Sequence, residues 1–347
     1  MRMNSIVAII ALLAIIVGIY VFVINRDVPM QEGMDQPASM TAGGEFLVTS
    51  NPDDVTADSV LTFRDDLSST PLFTGLSGQR SIESSYAQDG DIFVTVDGTA
   101  SSTGGVLVFD DENEARSLST PTRMLMGAAT LINGPRGIEV SDSLDMIIVS
   151  DFGARDIKLF ERRADGNVPP AYVIGLGNDT RSVWDTHYDR ASDTLYAAGT
   201  DGVVLAYEGF SDTFGANGPT RTITPSTNGT KVSVNLHGIA FDASRDTLLL
   251  SDVGSATSAT DGQLFIVTGA SSATGTVNAS AVISGPETRL GNPVDIMQSG
   301  TSLYVAEKSN DLVMVYEDIF SMTGLLTMAA TRSATVLKPE SISMRGN

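Results

Sequence analysis

The chain has 347 residues, of which 42% are hydrophobic, so it is long enough to bury a substantial core. Acidic residues outnumber basic ones by 42 to 21, and the resulting formal net charge of -21 argues against a nucleic-acid partner, because phosphate binding requires a basic surface. Cysteine is absent, which excludes disulfides, thiolate catalysis and cysteine-ligated zinc.

The N-terminal region has the composition of a membrane anchor. After a short flank at residues 1–5, residues 6–24 form an uncharged apolar run that is long enough to cross a hydrocarbon core of about 30 Å. No small residues suited to peptidase cleavage follow this run, so an uncleaved single-pass anchor is favoured over a removed signal peptide. Residues 25–44 are polar, contain Pro and Gly, and are predicted to be a flexible tether.

From residue 45 onwards, short runs of Val, Ile, Leu, Phe, Tyr and Thr alternate with clusters of Gly, Asp, Asn, Ser and Pro. This pattern predicts a succession of short strands. The strands recur in groups of four, and the first strand of each group carries one of six markers: Ile82, Ile138, Thr186, Ile239, Ile296 and Ile342.

The two ends of residues 45–347 complement each other. The first run of this region, at residues 45–49, matches the second strand of a group, and the missing first strand matches residues 339–344 at the C-terminus. A chain that ends with the strand its beginning lacks closes a ring without an exposed edge. The sequence therefore predicts an all-β, six-bladed β-propeller of four-stranded antiparallel blades, closed by the C-terminal strand in blade one. A seven-bladed ring is the nearest rival.

The repeated phrase also resembles a known group of propellers. Pro135-Arg136-Gly137-Ile138, followed by Met146-Ile147-Ile148-Val149-Ser150-Asp151, is similar to the NHL-type and SMP-30/gluconolactonase-like repeat. The resemblance extends from residue 45 to the C-terminus and implies the propeller fold. It leaves function open, since such propellers include binding platforms, lactonases and lyases.

In such rings the first strand of each blade lines the central channel. The predicted channel-mouth residues are Arg80, Arg136, Trp184, His237, Val294 and Glu340. One position deeper, Asp185 and Asp295 are expected to approach each other. His237, Asp185 and Asp295 are therefore the candidate catalytic residues. The competing interpretation is a polar, ion-paired channel without catalysis.

The resemblance to SMP-30-like enzymes also implies a divalent cation at the channel mouth. The metal candidates are Glu340, Asp185, Asn235, Asn292 and Asp295. Calcium would suit such oxygen ligands. Arg80 and Arg136, however, would compete with a cation for the carboxylates, so a channel with no cofactor is favoured.

Together these features predict a membrane-anchored propeller on the periplasmic or extracellular side, held in the lipid bilayer by residues 6–24. The favoured function is a non-catalytic protein-interaction module, an accessory subunit that docks on a larger membrane protein complex. Two alternatives stay open: a metal-dependent lactonase or hydrolase, and a ligand-binding surface protein.

Overall fold

The computed structural model of the chain describes residues 45–52, 59–74, 80–98, 104–110, 120–178 and 180–344. The predicted anchor at residues 6–24 and the predicted tether at residues 25–44 lie outside the described residues. Across the described ranges, no helix combines the length and the apolar character that a membrane crossing requires.

The described chain is built almost entirely from short strands, as the alternation of apolar runs and turn residues predicts. Blade 1 begins with three strands, β1 (Glu45–Ser50), β2 (Ser59–Arg64) and β3 (Ser69–Thr74). Blade 2 contains β4 (Arg80–Tyr86), β5 (Ile92–Asp97), β6 (Gly105–Phe109) and β7 (Arg123–Met126). Blade 3 contains β8 (Pro135–Ser141), β9 (Met146–Asp151), β10 (Asp156–Glu161) and β11 (Tyr172–Gly175).

The second half of the ring follows the same plan with added edge strands. Blade 4 contains β12 (Val183–Asp189), β13 (Thr194–Gly199), β14 (Val203–Glu208), β15 (Arg221–Thr227) and β16 (Thr230–Lys231). Blade 5 contains β17 (Leu236–Asp242), β18 (Thr247–Asp252), β19 (Gln263–Thr268) and β21 (Ala281–Ser284), while β20 (Gly275–Asn278) joins the sheet of blade 4. Blade 6 contains β22 (Pro293–Ser299), β23 (Ser302–Glu307), β24 (Leu312–Tyr316) and β26 (Arg332–Thr335), while β25 (Gly324–Leu326) joins the sheet of blade 5. The last strand is β27 (Pro339–Met344).

The described helical segments are single turns. They are an α-helix at Phe210–Thr213 and 3₁₀ turns at Ala128–Thr130, Pro286–Thr288 and Ile319–Ser321. Two of the added strands cover blade edges: β20 pairs in parallel with β15, and β25 pairs in parallel with β21. Each therefore supplies partners to an outer strand that would otherwise expose its backbone groups.

The ring closes as the sequence predicts. Strand β27 pairs antiparallel with β1, with Ile342 opposite Val48, and so completes blade 1. The innermost strands β27, β4, β8, β12, β17 and β22 contact one another in that order around the ring, and β22 contacts β27 again. The prediction of an all-β, six-bladed propeller closed by its C-terminal strand is confirmed.

The hydrophobic core lies between the blades. Six clusters of buried apolar side chains occupy the six blade-to-blade contacts. One example joins blades 2 and 3 through Phe93, Ile138 and Val149. Because both faces of each blade are covered by a neighbour, the middle strands are apolar on both sides, as strands of fully buried sheets are.

The ring has two distinct faces. We define the top face as the one at which the innermost strands begin, with Pro135, Pro293 and Pro339 as the first residues of β8, β22 and β27. The bottom face is where these strands end. Since β1 runs antiparallel to β27, Glu45 and Met344 both lie at the bottom face.

The predicted alignment of blade 2 is wrong by two residues. The marker Ile82 was expected to correspond to Ile138, but Ser84 holds that position, because the Glu83 N–H donates to Thr95 Oγ1 at 3.0 Å just as the Gly238 N–H donates to Ser251 Oγ at 2.9 Å. Strand β4 pairs Ser81 with Val96 and Ser84 with Val94, so two residues oppose one at a β-bulge. With Ser84 aligned on Ile138, Glu83 takes the channel position that Gly137 holds in blade 3.

Candidate functional site

Three carboxyl groups meet inside the central channel. Glu83 of β4, Asp185 of β12 and Asp295 of β22 are all buried, and one oxygen of each lies within 4.8 Å of the others. We call these residues the acid triad. They come from blades 2, 4 and 6, so every second blade contributes one acid. Such a group of oxygen ligands could hold a metal ion.

Each acid of the triad also links its own blade to the next one. The backbone N–H groups of Ile138, Ile239 and Ile342 donate to Glu83, Asp185 and Asp295 at 3.0, 3.3 and 2.7 Å. Blades 2 and 3, 4 and 5, and 6 and 1 are therefore joined in the same way across the channel wall.

The intervening blades carry small residues at the same level. Gly137, Gly238 and Ser341 occupy it in blades 3, 5 and 1. A Cβ atom on Gly137 would lie 2.9 Å from Asp185 Oδ1, and one on Gly238 would lie 2.6 Å from the backbone N of Ile296. The two glycines thus permit close contact between blades 3 and 4 and between blades 5 and 6.

Burial governs the protonation of the acid triad. Burial raises the pKa of Asp185 to about 7, although N–H groups of Thr186 and Ile239 favour its ionised form. Burial and the neighbouring carboxyl groups raise the pKa of Glu83 well above its usual range, and burial together with Asp185 does the same for the pKa of Asp295. Carboxylates this close cannot all ionise without a compensating cation.

Above the triad, aromatic and basic side chains from three successive blades stack at the channel mouth. The rings of Trp184 and His237 lie 3.5 Å apart at an angle of 10°. The Arg136 guanidinium lies 5.4 Å from the centre of the Trp184 ring and pairs with Asp97 at 3.3 Å. Burial, with Arg136 and Lys308 nearby, lowers the pKa of His237 well below its usual range, so the imidazole is neutral at pH 7.

The opposite side of the mouth is polar. Glu340 forms an ion pair with Lys308 and accepts a hydrogen bond from Asn51 Nδ2 at 3.1 Å. Arg80 donates to the other atom of the same amide, Asn51 Oδ1, at 2.9 Å. Glu340 thus has its negative charge balanced inside the protein.

Between these two sides lies a cavity of about 500 Å³ that opens at the top face. Its lining includes the aromatic residues Phe152 and Trp184, the apolar Val234 and Val294, and the polar His237, Asn235, Asn292, Lys308 and Glu340. His237 Nδ1 and Asn292 Oδ1 are buried and have no hydrogen-bond partner among the described residues. The cavity therefore joins an apolar wall to polar atoms that a ligand could satisfy.

The predicted site residues separate into two levels. Trp184, His237, Val294, Glu340, Asn235 and Asn292 line the cavity, with Arg136 and Arg80 bonded to its wall. Asp185 and Asp295 approach each other, as expected, but they lie in the acid triad together with Glu83. Among the described residues, Glu340 does not lie close enough to both Asp185 and Asp295 to form a metal-binding group with them, as the sequence had suggested.

Glu83 is the site residue that sequence reasoning missed. Aligning blade 2 on Ile82 placed Ser81 in the channel, because the true marker position holds the polar Ser84 and the apolar Ile82 lies two residues before it. The usable signal is the alternation itself, since acids in two even-numbered blades and small residues in the odd-numbered ones predict a third acid in blade 2.

The fold, but no family, is shared with proteins of known structure. No protein-family model matches the chain, and no curated protein matches it. A chain of the nidogen–laminin complex aligns with a TM-score of 0.58 and 12% identity, over 87% of this chain and 98% of that one. A putative 6-phosphogluconolactonase from Bacteroides fragilis gives 0.57 and 13%, over 89% and 99%. The periplasmic gluconolactonase of Pseudomonas aeruginosa gives 0.54 and 14%, over 86% and 99%.

These structures include propellers named as lactonases and one from a protein–protein complex. At identities of 12 to 14% the likeness concerns the fold alone. The chain is thus a six-bladed β-propeller of the architecture common to gluconolactonase-like and nidogen-like propellers.

Proposed function

We propose that the protein is a non-catalytic interaction module that binds a protein partner at its top face, as an accessory subunit of a membrane protein complex. One observation carries this proposal: the side chains at the channel mouth that could perform catalysis are engaged with one another. Glu340 is paired with Lys308, and His237 is buried against Trp184. Among the described residues that line the cavity at the top face, the one carboxylate, Glu340, is ion-paired and the one imidazole, His237, is stacked on an aromatic ring.

The test places a photo-activatable cross-linking residue at Val234, which lines the cavity and is 56% exposed. A matched control carries it at Leu325 on an outer blade edge, which is 70% exposed. Cross-linking in native membranes should give a defined protein adduct from position 234 that position 325 does not give. An adduct from position 325 alone would contradict use of the top face.

The lactonase alternative is testable on the same full-length protein. It requires lactone or aryl-ester turnover that depends on a divalent cation and falls in Glu83→Gln and Asp185→Asn variants. Carboxylate oxygens suit hard divalent cations, so Ca²⁺ is the first ion to test with the acid triad. Such turnover would replace the interaction proposal by an enzymatic one.

The membrane location belongs to the same proposal. The uncharged run at residues 6–24 supports an anchor that holds the propeller on the periplasmic or extracellular side. The protein should stay with the membrane pellet after alkaline carbonate extraction, and deletion of residues 2–24 should release it. Once any outer membrane has been permeabilised and the cytoplasmic membrane kept intact, external protease should reach the propeller; complete protection would contradict the proposed side.

A further inference from the structure

The outer strands of the blades differ in how their free edges are covered. In blades 4 and 5 the outer strand receives a parallel partner from the next connecting segment, β20 on β15 and β25 on β21. In blade 2 the backbone of Gly166 accepts from the Met126 N–H at 3.2 Å and donates to Met124 O at 2.9 Å, so it covers the edge of β7. In blade 3, β11 pairs with β10 on one side and has no strand partner on the other among the described residues. The outer edge of β11 is therefore open to an added strand.

The following segment of blade 4 reaches β11 through side chains instead. The connection between β14 and β15 forms the single helical turn at Phe210–Thr213. Phe214 then stacks on Tyr172 with the ring centres 4.3 Å apart, and Gly215 packs against Ile174. Ile174 belongs to the apolar cluster between blades 3 and 4. These contacts cover the face of β11 that is turned towards blade 4, and they add no strand to its edge.

The edge of β11 also lacks the features that keep exposed strands from pairing. Such edges are commonly blunted by a charge, a proline or a bulge. Two other outer strands have no further strand partner in the described chain, but β3 contains Pro71, and β26 carries Arg332, which is paired with Asp65. The sequence of β11 is Tyr-Val-Ile-Gly, with Tyr172 40% exposed and Val173 51% exposed. An apolar edge of this kind is suited to pairing with another strand.

The surface around β11 is uncharged, although the chain has a formal net charge of -21. No charged residue occurs in residues 166–178, which include β11, or in residues 213–220, which include Phe214. The two segments also meet where Gly177 lies against Pro219. An uncharged patch with an exposed aromatic ring is typical of protein interfaces. Because the patch offers neither sign of charge, a second copy of this acidic chain can meet it without bringing like charges into contact.

We propose that this edge is a self-association surface, at which β11 of one copy pairs antiparallel with β11 of a second copy. A twofold axis makes the two edges complementary, because each strand gives the other its free backbone donors and acceptors. The pairing joins two four-stranded sheets into one and covers Tyr172, Val173 and Phe214 of both copies. The paired strands are short, so we expect a dissociation constant in the micromolar range and not an obligate dimer.

Sedimentation of the full-length protein in mild detergent, at concentrations up to about 100 μM, measures this association. Val173→Lys places a charge on the edge and should weaken it about tenfold or more. The matched control is Leu325→Lys, which makes the same change on β25, where the side chain is 70% exposed, and should leave association unchanged.

Salt gives a second measurement of the same contact. Association should tighten about twofold or more when NaCl is raised from about 50 to about 500 mM, because salt screens the repulsion between two copies that each carry a charge of -21. A contact made through opposite charges would weaken under the same change. Weaker association at high salt would therefore contradict an uncharged self-contact.

Cross-linking identifies what occupies the edge. A photo-activatable residue at position 173 of the purified full-length protein should give an adduct of twice the chain's mass, and the same residue at position 325 should not. A protein that stays monomeric at about 100 μM would overturn the proposal. So would a dimer that Val173→Lys leaves unchanged, since the contact would then lie elsewhere, for example in the predicted anchor at residues 6–24.

The same residue at position 173 can be activated in native membranes. An adduct that contains a different protein and no second copy would also overturn self-association. The adduct expected from position 234 at the top face does not depend on β11. Failure of the self-association proposal would therefore leave the proposed function standing, and failure of the top-face test would leave the β11 contact standing.

Discussion

Two glycines set how closely the innermost strands approach. Gly137 and Gly238 lie against the backbones of β12 and β22, where a methyl group has no room. Neither position has the left-handed backbone that would by itself require glycine. Glycine therefore permits close contact of β8 with β12 and of β17 with β22, whereas the hydrogen bonds from Ile239 and Ile342 to the acids join β12 to β17 and β22 to β27.

Gly238→Ala should therefore destabilise the protein by about 1–3 kcal/mol, the usual cost of forcing an extra carbon into a packed site. Gly175→Ala is the matched control, because a Cβ on Gly175 would meet nothing within 4 Å. Denaturant unfolding of both variants gives the comparison. A Gly238→Ala protein as stable as Gly175→Ala would show that the strands separate at little cost.

The buried His237 should make the folded protein less stable at acid pH. Burial holds the pKa of His237 in the folded protein well below its usual value of 6.5, so protonation favours the unfolded chain and stability falls as the pH drops below about 6.5. His237→Phe keeps an aromatic ring on Trp184 and removes this titration, so its free energy of unfolding should fall less between pH 7 and pH 5. His187→Gln is the comparison, since burial also lowers the pKa of His187. An unchanged pH profile in His237→Phe would refute the assignment.

The limits of prediction at this scale are clear from Glu83. Periodicity located Trp184, His237 and Asp185 because the strands that carry them keep a register that the repeat can align. The bulge of β4 has the same one extra residue as those of the other innermost strands, but Ser84 stands at the marker position, where four of the other blades carry Ile, so the apolar repeat was aligned on Ile82 instead. The two-level site therefore could not be derived from spacing alone.

At the scale of elements, neighbouring blades alternate in the residues that their innermost strands place in the channel. Even-numbered blades contribute an acid to the triad, and odd-numbered blades contribute a small residue and an Ile N–H donor. Such a ring is joined as three pairs of blades, although the strand pattern of all six is alike.

The strand order and the closure of the ring were predictable from the sequence, because short apolar runs and turn residues recur in every blade. The edge strands β20 and β25 were not, since they are only four and three residues long and lie in the connecting segments.

The acid triad should make the protein less stable as the pH rises. A carboxyl group whose pKa is raised on folding holds its proton more tightly in the folded state, so stability is lost between the unfolded pKa of about 4 and the folded pKa. For Asp185 this window runs from 3.8 to about 7. Glu83→Gln keeps an acceptor for the Ile138 N–H and removes one charge, so at pH 8 it should raise the free energy of unfolding by about 1–2 kcal/mol.

Glu139 titrates nearby, with its pKa raised to about 8 by burial, and it is present in both proteins. The difference between wild type and Glu83→Gln therefore isolates the triad. If the triad binds Ca²⁺, millimolar Ca²⁺ should raise the Tm of the wild type at pH 8 and leave that of Glu83→Gln unchanged. An equal rise in both would place the ion elsewhere. A Glu83→Gln protein less stable than wild type at pH 8 in the absence of Ca²⁺ would contradict the burial argument.

At the scale of the whole molecule, stability depends on closing the ring. The β27 strand supplies the innermost strand of blade 1, and its Ile342 and Met344 belong to the apolar cluster between blades 6 and 1. Removing it would open the channel wall, expose the edge of β1 and leave Asp295 without the Ile342 donor.

Deletion of residues 339–347 should thus abolish cooperative folding or lower the Tm by well over 10 °C, because it removes a fully paired strand together with its core contacts. The matched control deletes residues 345–347 only and keeps β27 intact. Circular dichroism melting and size-exclusion chromatography give the comparison. A monomeric, cooperatively folded protein without β27 would show that five complete blades suffice.

The pairing of β27 with β1 has a consequence for how the molecule can be attached to anything. The first and last described residues, Glu45 and Met344, are neighbours at the bottom face, and the cavity opens at the top. A fluorescent label or an immobilising group attached at position 45 or 344 would therefore lie on the face opposite the cavity and leave its opening free.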